Sequence, residues 1–255
     1  MEIRFDGKTA VVTGGSKGLG YECAEILALS GAKVAIVARN RNGLDQAIEK
    51  IAKKGGVAKG YELDVSQISK IAPTVEKIRA ELGEIDVLVQ AAGLMRAQSS
   101  QEITEADWDA VFNTNAKAIF FMMQAVVGQS MMPRKNGSIV NIASIAGLTG
   151  MREPLCAAHY CSSKGAVVQL TRQGAIEWAK YNIRVNTMAP GGVATEAIRG
   201  VPQEFMAKAT ELIPLGRFSE PNEVAGGVCY LASDAAFMIT GHTLIMDGGG
   251  FVMGF

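Results

Sequence analysis

The stretch Thr9-Ala10-Val11-Val12-Thr13-Gly14-Gly15-Ser16-Lys17-Gly18-Leu19-Gly20 decides how the rest of the chain is read. A short apolar run ends in a glycine cluster, and helical spacing follows over Tyr21–Leu29. Glycines let a backbone turn tightly and approach a pyrophosphate closely. A helix N-terminus adds free N–H groups and a partial positive charge. A plain strand-to-helix turn also explains many such clusters; here the strand before and the helix after favour a nucleotide site. The spacing Gly14-x-x-x-Gly18-x-Gly20 is not the commonest dinucleotide fingerprint. Nor is it a P-loop, which needs Gly-Lys-Ser/Thr.

The same alternation continues outward. Short apolar runs recur at Thr9–Val12, Lys33–Val37, Asp86–Val89, Ser138–Ile142, Arg184–Asn186 and Thr243–Ile245. Segments with helical spacing lie between them, at Tyr21–Leu29, Leu44–Ala52, Ile71–Leu82, Trp108–Gly128 and Ser163–Tyr181. Continuous apolar strands alternating with helices predict a parallel sheet covered on both faces. Right-handed crossovers then give an α/β, doubly wound fold, in which ligands bind beyond the carboxyl ends of the strands.

Composition narrows the possibilities. The 255 residues fit one large domain, because α/β folds often run to about 250 residues as one unit. Hydrophobic residues make up 48%, which argues against a disordered chain. The 25 Lys+Arg and 25 Asp+Glu cancel, which argues against a nucleic-acid partner. Cys23, Cys156, Cys161 and Cys229 form no C-x-x-C pair and no metal spacing, so no metal site is expected. They read as reduced thiols of a cytoplasmic protein. No signal peptide is expected, since Met1 to Lys8 is charged. No membrane partner is expected either. The longest apolar stretch, Ala116 to Val127, is broken by Lys117 and Gln124 and falls short of the roughly 20 residues of a span.

The second strand should end near the ribose of a dinucleotide, where an acid would bind the 2′-hydroxyl of NAD and an Arg the 2′-phosphate of NADP. The chain has Val37-Ala38-Arg39-Asn40-Arg41 there, without an acid. Lys17 lies in the glycine loop, close enough to face the same phosphate. A surface Arg is usually only solvated, but two cations in place of one carboxylate favour NADP(H) over NAD(H).

Tyr160-Cys161-Ser162-Ser163-Lys164 opens a predicted helix and puts Tyr160 and Lys164 on one face, one turn apart. A nearby ammonium favours the phenolate and lowers the tyrosine pKa from about 10. The pair could then move a proton near neutral pH. Taken alone, Tyr-x-x-x-Lys also fits an ordinary amphipathic helix. Ser144 adds weight, because it follows the strand Ser138–Ile142 and could donate to a developing oxyanion.

Together these residues resemble the short-chain dehydrogenase/reductase family over nearly the whole chain. The resemblance rests on Thr13-Gly14-x-x-x-Gly18-x-Gly20, Asp64-Val65, Ala91-Ala92-Gly93, Asn115, Ser144, Tyr160-x-x-x-Lys164 and Asn186-x-x-x-Pro190-Gly191. Thr195 and Asp247-Gly248-Gly249 complete it. It implies a three-layer Rossmann fold with a seven-stranded parallel sheet. It implies Tyr160 as acid/base, Ser144 orienting the carbonyl, and Lys164 binding the nicotinamide ribose and lowering the Tyr160 pKa. Asn115 would hold a relay water. Asp64 and Val65 would contact adenine, and Thr195 the carboxamide or pyrophosphate. The implied cofactor wall also includes Gly14, Ser16, Lys17, Gly18, Leu19, Gly20, Arg39, Ala92, Gly93, Pro190, Gly191 and Val193.

Two departures stand out. Gln90 stands where the family usually has Asn, and the segment from Ser144 to Tyr160 is longer than usual. That segment would border a substrate pocket. Residues 194–215 read as a lid with a short helix, Gln203–Leu212. Its Ile198, Val201, Phe205 and Met206 either face an apolar substrate or pack on the core. His159 reads as structural or solvated, with substrate contact as the alternative, and His242 has no ligand spacing. The apolar tail Phe251, Val252, Met253 and Phe255 needs a cover. By family resemblance a homotetramer, or a homodimer, would supply it.

The expected activity is reversible hydride transfer between NADP(H) and a small-molecule ketone or secondary alcohol: a 3-oxoacyl thioester, a sugar or polyol, or a small ketone. An NAD-dependent alcohol dehydrogenase of the same family is the alternative enzyme. A non-catalytic NADP-binding regulator is the alternative of another class, and the intact Asn115, Ser144, Tyr160 and Lys164 set argues against it.

Overall fold

The computed structural model describes residues 2–195 and 203–252, the side chains of residues 203–206 excepted. Ile198, Val201, Met253, Phe255 and the side chains of Phe205 and Met206 therefore lie outside the described residues. Seven strands form one sheet: β1 (Thr9–Thr13), β2 (Lys33–Ala38), β3 (Val57–Glu62), β4 (Ile85–Gln90), β5 (Gly137–Ile142), β6 (Ile183–Pro190) and β7 (Thr243–Met246). They lie in the order β3-β2-β1-β4-β5-β6-β7. Every pairing is parallel. The strand order reverses between β1 and β4, where such a sheet opens a crevice at its carboxyl edge.

The strands are apolar throughout because both sheet faces are covered. Side chains alternate across a strand, so Val11 joins one core while Ala10 and Val12 join the other. On one face lie α1 (Gly18–Leu29), α2 (Arg41–Lys53) and α9 (Pro221–Ala232), contributing Leu27, Ile51 and Val228. On the other lie α3 (Ile71–Leu82), α5 (Ala118–Val126) and α7 (Ala158–Trp178), contributing Val75, Met122 and Val168.

Six of the seven strands match apolar runs in the sequence. The seventh, β3, is an edge strand of mixed polarity: Val57 is 59% exposed while Tyr61 is buried. Helix α9 buries Val224, Ala225, Val228, Cys229, Leu231 and Ala232 at helical spacing, and a capping box between Glu220 and Glu223 opens it, with Pro221 in the first turn. The expected single helix over Trp108–Gly128 is interrupted. α4 (Glu105–Phe112) passes through a wider π turn at Asn113–Lys117 into α5, and a second π turn at Val127–Met131 leads into α6 (Met132–Arg134). Inside the expected lid, α8 spans Gln203–Glu211. Phe251 and Val252 are 40% and 80% exposed. Among the described residues no helix is long and apolar enough to cross a membrane, and no cluster of His, Cys, Asp and Glu could hold a metal.

Candidate active site

The glycine loop is built by close packing. Gly14 has φ +69°, and a Cβ there would lie 2.7 Å from the Ala92 nitrogen. A Cβ on Gly20 would lie 2.3 Å from the Gly14 carbonyl oxygen. These two glycines let α1 start directly on the end of β1. Gly18 differs: its φ is +56°, and among the described residues a Cβ there would meet only the Thr195 methyl, at 3.8 Å. The loop therefore opens toward Thr195, with Leu19 partly buried behind it.

The first turn of α1 has no side-chain cap and no acidic residue. By contrast, the Asn40 and Thr104 side chains cap α2 and α4, while α3 and α7 are uncapped as α1 is. Uncapped N–H groups at a helix start suit the oxygens of an anion, so the loop fits a pyrophosphate.

The ribose end of the cleft lies where β2 and β3 finish. Lys17 and Arg39 are exposed and belong to no ion pair among the described residues. A Cβ on Gly43 would lie 3.7 Å from the Ser16 Oγ, which sets Ser16 against the first turn of α2, beside Asn40. The sequence shows no acid at the end of β2, but the fold brings Asp64 within electrostatic reach of Arg39. Burial works to raise the Asp64 carboxyl. Hydrogen bonds from the Ser66 hydroxyl and backbone N–H, together with the Arg39 charge, outweigh it and hold the group below the usual carboxylate range. Val65, next to it, is buried.

The catalytic candidates converge at the carboxyl ends of β4 and β5. Ser144 has extended backbone, and its Oγ accepts from the Ala146 N–H at 3.1 Å, starting a single 3₁₀ turn at Ile145–Gly147. A Cβ on Gly147 would lie 2.5 Å from the Lys164 carbonyl carbon. That glycine lets the turn rest on α7 and bring the Ser144 hydroxyl close to that of Tyr160. Lys164 is 4% exposed, and its Nζ donates to the Ile142 carbonyl at 2.8 Å.

Asn115 sits inside the first π turn, fully buried. Its Oδ1 accepts from the Leu94 N–H at 2.7 Å. Its Nδ2 donates to the Leu94 carbonyl at 2.8 Å and to the Ser163 Oγ at 3.0 Å. Ser163 in turn donates to the Tyr160 carbonyl at 2.8 Å. Both amide hydrogens are thus used, so a relay water at Asn115 would meet its backbone or the second lone pair of its Oδ1. A Cβ on Gly93 would lie 3.6 Å from both the Asn115 Oδ1 and the Lys164 Nζ. Gly93 therefore leaves open the space between them, which suits a flat ring and its ribose. Gly147 and Ser163 were not singled out from the sequence, and no spacing rule marks either.

One electrostatic expectation is corrected. The Tyr160 hydroxyl is held above the ordinary tyrosine value: burial raises it, and the nearby Ser144 hydroxyl offsets only part. The Lys164 ammonium is brought down by burial to about 8. It lies 5.8 Å from the Tyr160 ring centroid, committed to the Ile142 carbonyl, and does not depress the Tyr160 pKa here. Tyr160 is therefore a protonated group at neutral pH, suited to donating.

The far wall comes from β6 and β7. Gly191 follows Pro190, and a Cβ on it would lie 2.7 Å from the Asp247 Cβ. Val193 pairs with Ser219, and the Thr195 N–H donates to the Val193 carbonyl at 2.8 Å. Asn186 lies deeper, bonded to the Ile239 carbonyl and the His242 N–H, and acts as a structural strut. The long segment before α7 is tied to the segment after β4 by the Gln98 N–H, which donates to the Cys156 carbonyl at 2.7 Å. His159 is fully buried, neither ring nitrogen has a partner among the described residues, and burial lowers its pKa. His242 is exposed.

Comparisons with known proteins cover nearly the whole chain. A family model described as enoyl-(acyl carrier protein) reductase matches residues 14–250. D-threitol dehydrogenase of Mycolicibacterium smegmatis is 37% identical over 253 residues, covering 98% of this chain and 95% of its own. The 3-oxoacyl-[acyl-carrier-protein] reductase of Thermotoga maritima is 37% identical over 247 residues, covering 97% and 99%. A solved structure from Beutenbergia cavernae superposes with a TM-score of 0.92 at 35% identity, covering 99% of this chain and 100% of that one. It is provisionally named an NAD(P)-dependent gluconate 5-dehydrogenase and holds NADP at low occupancy.

Proposed function

The chain belongs to the short-chain dehydrogenase/reductase family, and we propose that it reduces a ketone with NADPH, or oxidises the matching secondary alcohol with NADP⁺. The observation that carries this reading is the Ser144 hydroxyl set beside the Tyr160 hydroxyl at the end of β5, with the buried Lys164 ammonium on the next helical turn. When bound, the nicotinamide supplies or accepts the hydride at its C4.

The chain's own groups do the rest. Ser144 donates to the substrate oxygen and holds it beside the Tyr160 hydroxyl. Tyr160 gives its proton to that oxygen in the reductive direction. Its pKa, raised by burial, keeps the proton in place until then. Lys164 binds the nicotinamide ribose, and Asn115 holds the water that returns a proton to Tyr160. The α1 N-terminus, with Gly14, Gly18, Gly20 and Leu19, binds the pyrophosphate opposite Thr195. Ala92, Gly93, Pro190, Gly191 and Val193 wall the nicotinamide half, and Asp64 and Val65 wall the adenine. Lys17 and Arg39, with Ser16 beside them, meet the 2′-phosphate.

Residues 194–215 cover the substrate. The relatives' names support a 3-oxoacyl thioester, a sugar or polyol, or a small ketone as substrate. The exposed Phe251 and Val252 support assembly into a homotetramer or homodimer, and four free thiols support a reducing cytoplasm. A panel of acyl thioesters, keto sugars and small diketones, run with NADPH and NADH, tests the reading. Ketone-dependent NADPH oxidation supports it. Cofactor binding without turnover on any ketone points to a regulator instead.

A further inference from the structure

Gln90, the last residue of β4, stands where the family usually has Asn, and its side chain is buried. It lies opposite Thr13 of β1 and Asn141 of β5. Its Nε2 donates to the Ile119 carbonyl at 3.1 Å and to the Asn141 Oδ1 at 3.0 Å. Asn141 continues the path, donating to the Thr171 Oγ1 of α7 at 3.0 Å, where the Thr187 hydroxyl of β6 also donates at 2.7 Å. One buried amide therefore ties α5 to the strand beneath it and, through Asn141, to the helix that carries Tyr160 and Lys164.

The spacing gives this bond its consequence. Ile119 lies four residues after Asn115, and Leu94 lies four residues after Gln90. The end of β4 thus grips the helix twice: Gln90 holds Ile119 just past the π turn, and Leu94 holds Asn115 inside it. A π turn contains one residue more than an α turn, and one residue of helix is a rotation of about 100°. If that extra residue moved past Asn115, its side chain would swing away from Leu94 and Ser163. Pinning Ile119 on one side prevents the shift.

We propose that Gln90 is a positioning residue that locks the π turn in register, so that Asn115 stays bonded to Leu94 and Ser163. Asn in its place is shorter by one carbon–carbon bond, about 1.5 Å, and cannot bridge Ile119 and Asn141 together. The inference rests on the reductase reading for its kinetic readout, but its structural readout does not need turnover.

The test compares full-length wild type, Gln90→Asn, Gln90→Met and Ser138→Ala. Ser138→Ala is the stability control, because that buried hydroxyl donates to the Leu231 carbonyl at the amino end of β5. Gln90→Asn should speed hydrogen–deuterium exchange of the Leu94 amide and lower kcat about tenfold, leaving KM and NADPH affinity unchanged. The kcat losses of Gln90→Asn and Asn115→Ala should not add. Ser138→Ala should lower Tm without moving kcat or Leu94 exchange. If Gln90→Asn does not fold, Gln90→Met, which keeps length and loses the amide, is read the same way. Wild-type Leu94 exchange in a folded Gln90 variant overturns the proposal, as does a kcat loss that merely follows Tm. Absence of turnover by wild type would count against the reductase reading, and Leu94 exchange would still decide the role of Gln90.

Discussion

The ammonium of Lys164 donates to the carbonyl of Ile142 at 2.8 Å, wholly inside the protein. The bond fixes α7 against the end of β5, and so fixes Tyr160 against Ser144. It also leaves a positive charge in a low-dielectric place with no carboxylate paired to it among the described residues.

That charge is destabilising. A fall from 10.5 to about 8 corresponds to about 3 kcal/mol, and a lost hydrogen bond to Ile142 returns about 1 kcal/mol. Lys164→Met should therefore abolish turnover yet stabilise the fold by about 2 kcal/mol, raising Tm by about 4–8 °C. Thermal melts of the two proteins check this.

The pH dependence follows from the same group. The unfolded chain keeps the Lys164 proton up to 10.5, whereas the folded chain releases it near 8. The charge-burial penalty is thus constant below about 8 and fades between about 8 and 10.5. The gap in Tm between Lys164→Met and wild type should shrink across that window. NADPH-linked turnover should fall as pH rises through about 8, because the ammonium form is the one that binds a ribose hydroxyl as donor. Melting and rate profiles against pH measure both effects.

Arg39 meets a phosphate in this account, and Asp would meet a 2′-hydroxyl instead. Hydrogen bonds to a charged group contribute about 1.5–3 kcal/mol, or about 10–100-fold. Arg39→Asp should shift the kcat/KM ratio of NADPH over NADH by that factor toward NADH. An unchanged ratio, with wild type binding both equally, removes the 2′-phosphate assignment.

Two glycine substitutions should act in opposite directions. Gly14 combines φ +69° with a Cβ position 2.7 Å from the Ala92 nitrogen. Gly14→Ala should cost at least about 1–3 kcal/mol and weaken cofactor binding. Among the described residues, nothing lies within 4 Å of the Cβ position of Gly226 in α9. Gly226→Ala should stabilise by about 0.5–1 kcal/mol, with cofactor affinity unchanged. Denaturant melts and NADPH titrations distinguish the two.

Much of this could be read from the chain because central strands buried on both faces leave continuous apolar runs, such as Val34–Val37. Edge position hid β3, where Lys59 and Glu62 face solvent on either side of Gly60 and Tyr61. The start of helix α9 is marked in the sequence by Glu220-Pro221-x-Glu223. Tyr160, Lys164, Ser144 and Asn115 were legible as residue types at strand ends, and the fold brings Ser144 to Tyr160. Asn115 reaches Tyr160 only through Ser163, a contact that depends on a π turn no periodicity revealed. The raised Tyr160 pKa was likewise hidden, because burial depends on packing rather than on a four-residue spacing.

The most direct test of the central claim is the turnover of Tyr160→Phe on a ketone that wild type reduces, measured beside NADPH affinity and Tm. General acid catalysis contributes about 10²–10⁴-fold. The variant should lose at least that much kcat while binding NADPH and melting like wild type. A Tyr160→Phe protein that retains near-full reductase turnover would show that another group delivers the proton.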